Sequence, residues 1–90
     1  MMKNVFPVSF VRNGIVGGSL TVKDDSVVFH TNKVMISDVV IQLHEVKEVM
    51  ESKFLIFPSV LFKMKDGQQH QFIVFFNRHR LMQVLKELGV

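Results

Sequence analysis

Residues 60–88 constrain the fold of this chain more than any other stretch, because side-chain parity leaves few hairpin registers open to them. Val60, Phe62 and Met64 alternate with Leu61, Lys63 and Lys65, which gives one apolar face at the period of an extended strand. After Asp66-Gly67, the segment Gln69-His70-Gln71 leads into Phe72-Ile73-Val74-Phe75-Phe76, apolar on both faces. A slip of one residue exchanges the two faces, so parity decides the loop length. A two-residue Asp66-Gly67 loop sets Phe62 opposite Gln71 and mixes the faces. A three-residue loop, Lys65-Asp66-Gly67 with Gly67 left-handed, sets Val60 opposite Phe72 and Phe62 opposite His70. The second register is the one predicted.

Asn77 stands where a helix N-cap belongs. Leu81, Val84, Leu85 and Leu88 follow at i, i+3, i+4 and i+7, with Gly89 placed to terminate the helix. A helix this short is marginal alone in water, so its apolar stripe must dock as a lid on the strands.

Upstream, the pattern is of short strands. Residues 5–12 predict a first strand, which Pro7 places at an edge or delays. Asn13-Gly14 and Gly17-Gly18 flank Ile15-Val16 and read as a flexible or tightly turned connection. Residues 19–23 and 26–31 form a hairpin about Asp24-Asp25. A two-residue loop there pairs Val22 with Val27 and Leu20 with Phe29, a longer turn being the alternative. Val39, Ile41 and Leu43 alternate as a strand does. Residues 44–51 fit either period, since Val39, Leu43, Val46 and Met50 also make a helical stripe. Phe54-Leu55-Ile56-Phe57 reads as a strand that ends in a turn at Pro58-Ser59.

Ninety residues predict one domain, 1–90, able to bury about two-thirds of its unfolded surface. The chain has no cysteine, which removes disulfide and thiol chemistry and suits a cytoplasmic protein. Its longest apolar run, 54–62, is broken by Pro58 and falls short of the roughly 20 residues of a spanning helix. The start lacks a signal-peptide core. A net charge of +3 is too weak to name nucleic acid or membrane as a partner by itself.

The order of these elements resembles the GRAM domains, relatives of the pleckstrin-homology fold. Gly18-x-Leu20-Thr21-Val22, two acidic turn residues and Val27-x-Phe29 are similar to the family's opening strands. Ile41-x-Leu43-x-x-Val46-x-x-Val49 resembles its next strand pair. Asp66-Gly67, Phe72-x-Val74 and the leucine stripe resemble its ending. The resemblance covers roughly residues 14–88 and rests on the order of motifs that are individually weak. It implies a mostly β architecture: about seven strands in a bent antiparallel sheet, capped by a C-terminal helix, with residues 46–50 as strand. It also implies a binding module for membrane lipid or protein rather than an enzyme. The stretch matching the cation-rich loop of phosphoinositide-binding pleckstrin-homology domains, residues 12–18, offers Arg12 alone.

Candidate sites follow from charge and parity. Arg78, His79 and Arg80 sit at the helix start, where free amides and the dipole favour an anion. Lys63 and Lys65 share a strand face with Leu61 and make either a basic-apolar patch or a lysine-protected edge. Together these five are the candidates for anionic lipid. Ile73, Phe75, Val28 and Leu61 point away from the predicted core and are the candidates for an interface with a protein partner or a second copy. His30, His44, His70 and His79 lack metal-ligand spacing, so no metal or other cofactor is expected. Glu45, Glu48 and Glu51 cluster only on a helix, and no catalytic triad spacing occurs. The leading expectation is a non-catalytic module for protein or self-association. Peripheral binding to anionic lipid is the alternative. Nucleic acid comes third, because most of the nine Phe occupy core positions rather than a stacking platform.

Overall fold

The structure, a computed structural model, describes residues 4–12, 14–33 and 35–90. Its elements are β1 (Asn4–Val11), β2 (Ile15–Val22), β3 (Ser26–His30), β4 (Val39–Gln42), a 3-10 turn at Leu43–Glu45, β5 (Val46–Phe54), β6 (Phe57–Met64), β7 (Gln69–Val74) and α1 (Arg78–Glu87). The seven strands form one open sheet in the order β4-β3-β2-β1-β7-β6-β5, and every pairing is antiparallel. A seven-stranded antiparallel sheet with one helix after it is consistent with a pleckstrin-homology-like fold.

Two hairpins have the registers that parity predicts. Val60 lies opposite Phe72 and Phe62 opposite His70 across the β6–β7 loop. Gly67 takes φ +93°, its amide donates to the Met64 carbonyl at 3.0 Å, and the Gln68 amide donates to the Asp66 carboxylate at 2.9 Å. Leu20 faces Phe29 and Val22 faces Val27 across the Asp24-Asp25 loop. Residues 46–50, open to two readings, are strand.

The core lies between the sheet and α1. Phe10, Phe29, Phe62 and Phe72 meet with ring centroids 5.0–5.8 Å apart. Leu81, Val84 and Leu85 of the helix close over the same cluster. The helix stops at Gly89, whose φ of +89° lets the Val90 amide reach back to the Leu85 carbonyl at 3.2 Å.

Four local expectations are corrected. β1 is central, not an edge, and begins at Asn4. Pro7 is tolerated because it precedes the β1–β7 ladder, which starts at Val8, so the missing N–H falls where β1 has a single neighbour. Gly17 and Gly18 are strand residues of β2, not a connection. A Cβ on Gly18 would stand 2.2 Å from the His30 carbonyl oxygen and 2.9 Å from the Phe29 ring, so glycine here permits close packing of β3. The β5–β6 turn is Leu55-Ile56 rather than Pro58-Ser59. A turn at the later pair would set Lys53 opposite Met64 and leave residues 46–52 without a partner on β6; the observed register takes Val46 and Val49 to the core. Asn77 is the N-cap by position, but it is left-handed at φ 61° and makes no side-chain capping bond. Its carbonyl accepts the first intrahelical bond, from the Leu81 amide at 3.0 Å, as an N-cap carbonyl does with or without a side-chain cap.

Candidate functional site

One end of the sheet carries the most apolar surface. Leu55 is 78% and Ile56 85% exposed at the tip of the β5–β6 turn. Leu55 holds φ 58°, a left-handed conformation that a γ-branched apolar residue adopts at a cost of about 1 kcal/mol or more. Phe57 follows on β6, and its ring meets that of Phe75 edge-on at 5.8 Å. Ser59 pairs with Ile73, so the continuation of the same register brings Phe57 and Phe75 side by side beyond the end of β7. Phe76 is 68% exposed next to them, although strand parity assigns it to the core face; β7 ends at Val74, and the chain turns away before Phe76 can enter the interior.

The charges around this end are mostly basic, and the Glu51 carboxylate lies beside Arg78 and Lys53. Residues 52–58 and 75–80 contain Lys53, Arg78 and Arg80, with His79, and no acidic residue. Lys53 and Arg80 are exposed. Arg78 is committed elsewhere: its guanidinium donates to the Ser52 carbonyl at 2.9 Å and to the Ser59 carbonyl at 3.4 Å, and its Nε lies 3.4 Å from Glu51. Arg78 thus ties the first turn of α1 to the β5–β6 hairpin, and Arg80 is left as the exposed cation of that triplet, with the His79 imidazole exposed beside it.

Lys63 and Lys65 are not part of this surface. They lie at the far end of β6, in the half-buried position opposite Gln69 and in the exposed β6–β7 turn, roughly 20 Å along the strand from Phe57. Among the interface candidates only Phe75 is exposed, at 47%. Ile73 is corrected: it is 1% exposed, enclosed between β1 and β6 in register with Ser9 and Ser59, and has no surface to offer. Val28 and Leu61 are half-buried.

Two polar pairs went unread in the sequence. Arg12 donates to Nδ1 of His70 at 3.0 Å while its guanidinium lies 5.2 Å from the centre of the Phe10 ring. Burial, and then the Arg12 charge, lower the His70 pKa from its usual 6.5, against a smaller opposing pull from Asp66. His30 bonds Asp38 through Nδ1 at 2.7 Å on the exposed surface. The tip itself was missed because four apolar residues in a row, 54–57, resemble a buried strand. The available signal was the length of β5, whose residues find partners only if β6 begins at Phe57.

Among the described residues, no group of three His, Cys, Asp or Glu side chains could hold a metal ion. No helix among them is long and apolar enough to cross a membrane.

No protein-family model matches this chain, and no curated protein matches it in sequence. Among solved structures, it is similar to the crystal structure of the C-terminal domain of an unknown protein from Leishmania infantum. The two superpose with a TM-score of 0.83 over 94% of this chain and 80% of that one, at 17% identity. At that identity the likeness defines the fold alone.

Proposed function

We propose that this chain is a non-catalytic, GRAM-like binding module that docks on anionic membrane surfaces through the apolar end around Leu55 and Ile56. The observation that carries this reading is the left-handed Leu55 at a tip exposed together with Ile56. A turn selected for stability alone would place Asn or Gly there. A projecting apolar tip with Lys53 and Arg80 beside it, and Glu51 engaged by Arg78, matches the boundary between acyl chains and acidic headgroups. Burying two aliphatic side chains contributes about 3–6 kcal/mol in all, and each nearby cation adds about 1 kcal/mol at an acidic leaflet. The basic residues that serve are Lys53 and Arg80; Arg78 holds the hairpin in place.

The test is co-sedimentation with phosphatidylserine-containing and with pure phosphatidylcholine vesicles. Binding is expected to the acidic vesicles only, to weaken with added salt, and to be lost in Leu55→Asn/Ile56→Ser. Equal binding by that variant overturns the reading.

Association with a protein partner or a second copy through the same end is the second reading. It is favoured by the Phe57–Phe75 edge-to-face pair, which leaves an aromatic surface with Phe76 beside it. Sedimentation velocity at low and high salt separates the two readings. A dimer insensitive to salt and abolished by Phe75→Ser belongs to the second.

A further inference from the structure

The face of the sheet turned away from α1 has the composition of a covered face. Phe6, Val8 and Phe10 point into the core, so Pro7, Ser9 and Val11 point outward. The strand registers carry that parity to β2 on one side and to β7, β6 and β5 on the other. A solvated sheet face is normally polar. Here three successive rows of outward side chains, running from β5 to β2, hold no charged residue. Glu48 and Lys63 lie one row further along β5 and β6, opposite each other and of opposite sign.

The three rows differ in kind. The middle row is Ser59, Ile73 and Ser9, which are 0%, 1% and 8% exposed. Larger side chains on both sides lean over it, and the Gln71 amide reaches the Ser59 hydroxyl at 3.1 Å. One flanking row is aromatic, with the Phe57 and Phe75 rings edge to face at 5.8 Å. The other holds Met50 and Leu61. Each lies two residues, roughly 7 Å, from the middle row. Of the ten exposed large hydrophobic side chains among the described residues, six stand on this face: Val5, Ile15, Val40, Met50, Phe57 and Phe75. About half exposed each, they present on the order of 500 Å² of apolar surface, in the upper range for the largest patch of a monomer.

We propose that two copies of this chain meet on this face, sheet on sheet, about a two-fold axis that runs along the Ser59, Ile73 and Ser9 row. Such an axis exchanges the two flanking rows. The aromatic row of each copy then covers the Met50 and Leu61 row of the other, and the strands of the two sheets run in opposite directions. The face thus carries both halves of its own complement, and it brings no like charges together. Closing the patch on both copies buries about 1,000 Å² in all, the size that a specific interface must clear. At that size, with no charged anchor, the dimer is a reversible one in the micromolar range. This dimer rests on the self-association reading above, to which it adds the partner, the face and the register. Leu55 and Ile56 take no part in it, and the two-fold axis points the two tips in opposite directions.

Sedimentation equilibrium of the purified protein and of single variants tests this, with denaturation midpoints to show that each variant folds. The parent should dimerise equally at low and high salt, since the contact is apolar. Met50→Glu and Phe75→Glu, both at exposed positions and on opposite flanking rows, should each raise the dissociation constant at least tenfold. Leu55→Asn/Ile56→Ser should dimerise as the parent does. In a sample mixed from isotope-labelled and unlabelled protein, NOEs between copies should join the Phe57 and Phe75 rings to the Met50 and Leu61 methyl groups. A protein that stays monomeric up to millimolar concentration overturns the dimer and the self-association reading together. A dimer indifferent to Met50→Glu, or one whose NOEs between copies arise from Phe76 or the β4 edge, overturns this face and leaves self-association standing. A monomer whose binding to phosphatidylserine vesicles is lost in Met50→Glu assigns the face to the membrane and overturns the proposal as well.

Discussion

Arg12 and His70 are 58 residues apart in sequence and 3.0 Å apart in space, where the guanidinium donates to Nδ1 of the imidazole. An imidazole that accepts from a cation is held neutral. Because the folded pKa lies below the usual 6.5, the unfolded chain binds more protons in the interval between the two values. Stability from this site is therefore complete above about pH 6.5, declines as the pH falls through that interval, and is constant below the folded value. Urea midpoints measured at pH 7.5 and 5.5 should fall with pH, and His70→Gln should flatten that part of the dependence.

Gly18→Ala should be among the most damaging single-methyl additions in the chain. The added carbon would meet the His30 carbonyl oxygen at 2.2 Å and the Phe29 ring at 2.9 Å, and strand backbone beside a fully buried ring cannot yield cheaply. A loss of about 2 kcal/mol or more is expected. Gly17→Ala, one residue earlier, meets only the Ser9 hydroxyl at 3.9 Å and should change stability by less than about 1 kcal/mol. Chemical denaturation of the two variants reads the contrast directly.

Arg78→Ala and Arg80→Ala should separate as cleanly. Removing Arg78 strips a charged donor from the Ser52 and Ser59 carbonyls and should cost about 1–3 kcal/mol. Its contact with Glu51 is half-exposed and should contribute under about 1 kcal/mol in a double-mutant cycle. Arg80→Ala should leave the denaturation midpoint unchanged and weaken vesicle binding alone.

Leu55→Asn should leave the fold at least as stable as the parent, with a gain of up to about 1 kcal/mol, because Asn tolerates the left-handed conformation. A thermal melt of the variant checks this. A gain in stability joined to a loss of vesicle binding would identify the apolar tip as a feature retained for docking.

Phe72→Ala should cost about 3–5 kcal/mol, since its ring meets those of Phe10, Phe29 and Phe62 at the centre of the core. Equilibrium unfolding measures it.

Much of this fold was legible residue by residue where parity had one solution. The alternation of Val60, Phe62 and Met64 against Phe72 and Val74 fixed a loop of three, and Leu20 and Val22 found Phe29 and Val27 by the same logic. Parity gave no help where apolar residues ran together. At 54–57 the pattern of a buried strand and that of an exposed turn are identical, and only the demand of β5 for a partner chooses between them. Nor does a sequence display contacts between distant polar residues: Arg12 and His70 meet because β1 lies beside β7, and Arg78 leaves the expected anion site because Ser52 and Ser59 offer it carbonyls. Ile73 illustrates the same limit on the apolar side. Alternation sent it outward, and its place in a central strand between β1 and β6 enclosed it.

The adjacency of β1 and β7 has a consequence for synthesis. Val8 to Val11 are translated sixty residues or more before their partners, Gln71 to Val74. Until then half of the central ladder does not exist, and the Phe10 ring lacks the Phe72 face on which it stacks. β1 is therefore paired on one edge only, with β2, until β7 has been made, so the decisive step of folding is a slow, long-range closure.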